Sequence, residues 1–101
     1  MSIKKLLKDV EKLLSFPSDC SFNDLKILLE RFGYEAVPPK RGSHWKFVLK
    51  RPLDNVNYKA KIITVPSLKG KYVKRAYLKM IVKFLNLGEW YEKNKKFKGR
   101  N

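Results

Sequence analysis

Cysteine and histidine each occur once in this chain, as Cys20 and His44. One thiol cannot close an internal disulfide, and one thiol with one imidazole cannot make the Cys/His cluster of a structural zinc site. The expectation is a protein of a reducing cytoplasm that uses no metal and no other cofactor. Long hydrophobic runs are missing too. No segment approaches the roughly 20 apolar residues of a membrane span, and "MSIKKLLKDVEKLLSF" threads lysines and acids through its leucines, so it lacks the continuous apolar centre of a signal peptide. Acidic residues are scarce: 9 Asp and Glu stand against 24 Lys and Arg, a net charge of +15. A surplus of that size points to a polyanionic partner, either nucleic acid or an acidic protein. It does not prevent folding, because a hydrophobic fraction of 44% is ordinary for a globular chain. At 101 residues there is room for one core, which should bury roughly two thirds of the unfolded surface.

What is present reads as helices at both ends and strands between them. Ile3, Leu6, Leu7, Val10, Leu13 and Leu14 recur at helical spacing and predict an amphipathic helix over 2–15, followed by a linker around Pro17. Ser21 and Asp24 stand in capping-box relation before Leu25, Leu28, Leu29 and Phe32, and Gly33 supplies the stop of a second helix. "YEAV" is a short strand closed by Pro38 and Pro39. From Ser43 the alternation puts Trp45, Phe47 and Leu49 on one face and His44, Lys46, Val48 and Lys50 on the other, so His44 faces away from the aromatic side. "YKAKIITV" predicts a third strand, with its facing left open by two adjacent isoleucines. A helix from Val73 to Leu87 follows, with Gly88 past its end, and then a basic tail with interleaved aromatics that either extends the helix or awaits a partner. The fold class is α+β: a three-stranded antiparallel sheet with helices 22–32 and 73–87 packed on one face, an added N-terminal helix within 1–16, a central domain over 21–88 and a C-terminal extension over 89–101.

The stretches "DLKILLERFGYEAV", "KRGSHWKFV" and "IITVPSLKGKYVKRAYLKMIVKFLNL", all within Phe22 to Leu87, resemble the HicA family of toxins from toxin and antitoxin pairs. The sharpest shared element is Gly42-Ser43-His44. The resemblance implies a fold like that of the double-stranded RNA-binding domain and an activity as an endoribonuclease (an mRNA interferase). It implies that His44 is catalytic and that an acidic HicB-like antitoxin masks the site. The chain departs from the family pattern in its added first helix, its long loop between the second and third strands and its tail, which bear on partner contacts and oligomeric state and leave the motif intact.

The chemistry of His44 can be argued without the family. An RNase that takes the neighbouring 2′-hydroxyl as nucleophile needs a base for that proton and cations for the phosphate. Imidazole, with an ordinary pKa of about 6.5, suits the first task. Gly42 lets backbone amides approach a phosphate, and Ser43 shares that turn. Lys40, Arg41 and Lys46 are candidates for the second task, and Tyr58 is a candidate proton donor to the leaving oxygen. Lys69, Lys71, Lys74 and Arg75 cluster near the start of the last helix, an arrangement that resembles the one with which double-stranded RNA-binding domains grip phosphates. Plainer readings stand beside these: a lone histidine is often a surface residue, a lysine cluster is often a solvated helix face, and Trp90, Tyr91 and Phe97 more often meet a domain or partner than a base. The alternative function is a non-catalytic RNA-binding module of the same fold. A third is a scaffold that holds an acidic protein through the first helix and the tail.

Overall fold

The computed structural model describes residues 3–18, 20–67 and 71–97. They form α1 (Ile3–Leu14), α2 (Phe22–Arg31), β1 (Tyr34–Val37), β2 (His44–Leu49), β3 (Ile62–Pro66), α3 (Arg75–Phe84), α4 (Leu87–Asn94) and a closing 3₁₀ turn (Lys95–Phe97). The strands make one antiparallel sheet in the order β1-β2-β3, with Tyr34 opposite Leu49, Val37 opposite Lys46, and His44 opposite Pro66. The α+β class and the three-stranded antiparallel sheet are therefore as the sequence patterns predict.

Only one face of the sheet is covered. Tyr34, Phe47, Ile63 and Val65 are buried, whereas Glu35, Val37, His44, Lys46, Ile62 and Thr64 are exposed. The period of two in each strand sorts them, and the adjacent isoleucines resolve with Ile63 inward and Ile62 outward. Against the inner face lie Phe22, Leu25, Leu28, Leu29 and Phe32 of the α2 segment, with Leu78 and Ile81 of α3. The Phe22 ring meets Trp45 at 5.2 Å and Phe47 at 6.1 Å.

Helix α1 is no appendage. Leu6, Leu7, Val10 and Leu13 are buried in the same core, and Asp9 forms an ion pair with Arg31 of α2. Deleting residues 1–16, a clean way to separate a scaffold role if the helix were peripheral, would instead open the core.

The largest departure lies at the C-terminal end. The helix expected over 73–87 runs only over Arg75–Phe84, and a separate helix follows it, because the chain turns at Asn86 and not at Gly88. Asn86 sits in the left-handed region (φ 48°), its side chain donates to the Asn57 carbonyl at 3.1 Å, and its own N–H reaches Lys83 at 3.2 Å. Asparagine is the commonest non-glycine residue to end a helix this way. The redirected chain forms α4, which buries Leu87 and Trp90, while the Tyr91 hydroxyl donates to Glu11 of α1. The start of the segment expected either to extend the helix or to await a partner is core.

The third strand is also shorter than its sequence pattern, starting at Ile62 and not at Tyr58. The Tyr58 hydroxyl donates to the Phe32 carbonyl and accepts from the Leu53 N–H at 3.0 Å, and the Lys59 N–H goes to Phe84 at 2.6 Å. These bonds hold residues 53–59 against the helices and away from the sheet.

Gly33 ends α2 as expected, at φ 99°, and its carbonyl accepts from both Lys50 and Arg51. A Cβ there would overlap the Arg51 carbonyl oxygen. Gly33→Ala is expected to cost about 2–3 kcal/mol, from left-handed strain plus displacement of the strand end. Urea unfolding followed by circular dichroism would measure the loss, and an unchanged midpoint would contradict it.

Candidate functional site

Three segments converge at one end of the molecule: the loop leading into β2, the segment leaving β3, and the start of α2. The Ser67 N–H donates to the Ser43 carbonyl at 2.9 Å, joining the first two. Ser21 and Tyr72 form an antiparallel bridge, with Phe22 N–H to Lys71 at 2.7 Å and Val73 N–H to Cys20 at 3.1 Å, joining the third. Ser21 also caps α2, its hydroxyl accepting the Asp24 N–H at 2.9 Å.

On the open face of the sheet, His44 occupies the first position of β2, exposed, with Lys46 two residues along on the same side. Gly42, two residues before the histidine, has φ 75°, and the space a side chain would enter there is open to 4 Å. Ser43 is half-buried, and Lys40 and Arg41 are exposed on the preceding loop. The structure thus brings His44, Lys46 and the Gly42-Ser43 turn together at one strand end, with two further cations on the preceding loop.

The second group of predicted residues lies at and just before the start of α3, with Lys71 tied to the start of α2. Lys71 and Lys74 are exposed. Lys74 is the N-cap residue without a side-chain cap, and no acid occupies the first turn, so the helix start keeps its partial positive charge for solvent or an anion. Arg75 is partly committed elsewhere, because its Nε donates to the Phe16 carbonyl at 2.8 Å and ties α3 to the α1–α2 linker. Lys69 lies outside the described residues.

Tyr58 is not with His44. Its ring meets Tyr34 at 5.9 Å, at the Leu49 end of β2, and five strand steps separate Leu49 from His44, about 17 Å at the usual rise. Burial pushes its phenol pKa up, and pushes that of Tyr34 up to about 12 with a smaller contribution from Tyr58. The pair pins the β2–β3 loop, and Tyr58 is out of reach as a proton donor at His44.

The sequence reading missed Tyr72, Asn23 and Lys26, which line an open cleft of about 530 Å³ with Phe22, Trp45 and Lys71 on the helix side of the same strand end. The available signal was an aromatic inside the basic run "KGKYVKR". Among the described residues no three of His, Cys, Asp or Glu gather to hold a metal ion, and no helix is long and apolar enough to cross a membrane. No family model matches the chain, and comparison with curated proteins and with solved structures returns no match.

Proposed function

We propose that this protein is an RNA-cleaving toxin similar to the HicA family, an endoribonuclease that acts on mRNA and is neutralised by an acidic, HicB-like antitoxin. The observation that carries the reading is an exposed imidazole on the first residue of the central strand, beside a left-handed glycine turn and with Lys46 on its own face. The succession α2-β1-β2-β3-α3, with one sheet face covered, is similar to the double-stranded RNA-binding domain. The +15 charge supplies long-range attraction for the polyanion and for an acidic partner.

In the proposed reaction His44 takes the proton of a 2′-hydroxyl. The 2′-oxygen attacks the adjacent phosphorus while the bond to the 5′-oxygen breaks, and the leaving oxygen takes a proton from water. Lys46 and the cations of the preceding loop offset the charge that develops on the phosphate. The products are a 2′,3′-cyclic phosphate and a 5′-hydroxyl. The test is cleavage of end-labelled single-stranded RNA in EDTA with the product ends identified; RNA bound but left intact would remove the nuclease reading in favour of a binding module.

Lys71 and Lys74 take the role of phosphate contacts that hold the RNA without acting on the bond that breaks. Lys74→Ala is expected to weaken binding about equally for all RNA sequences and to flatten the dependence of log K on log salt by about 0.7–0.9, the increment for one phosphate contact. Binding measured between low and physiological salt reads this directly, and an unchanged slope removes Lys74 from the interface.

A further inference from the structure

We infer that the cleft between the starts of α2 and α3 is a stacking site for an unpaired RNA base, so that the protein selects single-stranded over paired RNA. The choice of RNA rests on the function proposed above, whereas the base-binding geometry stands on its own observations. Tyr72 is a large aromatic left 46% exposed. Its backbone is held by the bridge to Ser21 and by the bonds on either side of it, so the exposed ring stands on a fixed frame and not on a loose loop tip. Trp45 is half-buried, propped by Phe22 at 5.2 Å with the rings inclined at 49°, which leaves part of the indole lining the cleft.

The polar lining suits a nucleotide. Asn23 is exposed on the first turn of α2 and offers an amide donor and acceptor for a base edge. Lys26 and Lys71 provide positive charge, Lys26 only loosely held by Glu30 at 3.8 Å, and among the described residues no carboxylate lines the cleft. Aromatic faces beside cations are what a stacked base with its phosphate requires, and every base has a π-face to offer. A base paired within a duplex cannot enter, because its faces are already covered by its neighbours. Trp45 and His44 are consecutive in β2 and point to opposite sides of the sheet. A single strand that crosses this end of β2 meets the cleft with one nucleotide and His44 with a neighbouring one.

The test uses the full chain and short RNA strands with 2′-O-methyl sugars, which cannot be cut, alongside a strand of equal length with the same phosphates and no bases. The wild type is expected to bind the base-bearing strand about tenfold more tightly than the abasic one, on the scale of one stacked base. Tyr72→Ala should lose that preference while its affinity for the abasic strand stays the same, and Tyr72→Phe should keep it. Binding should also quench the emission of Trp45, a signal absent from Trp45→Phe, because the other tryptophan, Trp90, is only 5% exposed. Equal affinity of the wild type for the two strands, or a preference that survives in Tyr72→Ala, overturns the inference. Since no cleavage is read, a protein that cuts nothing still tests the cleft, and a nuclease whose cleft ignores bases still leaves the proposed function standing.

Discussion

His44→Ala is expected to reduce RNA cleavage by at least about a hundredfold, the lower end of what one positioned acid–base group supplies, while RNA affinity and thermal stability stay near those of the wild type. The structural reason for expecting separation of these effects is the place of the side chain. The imidazole is exposed on the uncovered sheet face, so its removal opens no cavity, and the formal +15 is counted without it. Lys46→Ala should behave differently: it removes a charge next to the reacting phosphate and so should lower both turnover and affinity. The measurement is a time course on end-labelled RNA with binding and melting of each variant recorded in parallel. If the alanine variant cuts as fast as the wild type, His44 is a surface residue. If it loses binding together with cutting, the imidazole positions RNA and does not act on its protons.

Periodicity made the sheet and the second helix legible, and the reasons are local. Trp45, Phe47 and Leu49 alternate with His44, Lys46 and Val48, and from His44 to Phe47 burial follows that alternation because one sheet face is covered, while Val48 and Leu49 are both half-buried. Ser21 and Gly33 bracket α2 because an oxygen side chain satisfies the first free N–H groups and a glycine tolerates the left-handed exit. What was not legible depends on distant partners. Tyr58 has the alternating neighbours of a strand residue, yet its hydroxyl finds the Phe32 carbonyl, 26 positions away in sequence, and the chain follows it out of the sheet. Asn86 gives no louder signal than Gly88, and its choice as the turning point depends on a carbonyl supplied by Asn57. At the site, His44 was visible as the one imidazole beside a Gly-Ser turn. The neighbourhood of Tyr72, Trp45 and Asn23 was not, since a bridge between Ser21 and Tyr72 has no sequence signature.

The C-terminal helix carries the largest expected effect on stability. Trp90→Ala should destabilise the fold by about 3–5 kcal/mol, the usual range for removing a buried aromatic from a core, a large share of the roughly 5–15 kcal/mol that holds a domain together. Trp90 is 5% exposed and meets Phe32 edge-on, with ring centres 5.3 Å apart at 76°, a geometry worth a further fraction of a kcal/mol beyond area alone. Phe32 is itself fully buried at the end of α2, beside Gly33 and the start of β1. The indole therefore braces the turn that feeds the sheet. Thermal melting by circular dichroism should show a fall of at least about 12 °C for a loss of 3 kcal/mol in a domain of this size. An aromatic waiting on the surface for a base or a partner would give the opposite result, an unaltered melting temperature with weakened binding. Because His44 and Tyr72 lie at the other end of the sheet from the Tyr34 side, the Trp90→Ala protein that remains folded at low temperature should still bind RNA like the wild type.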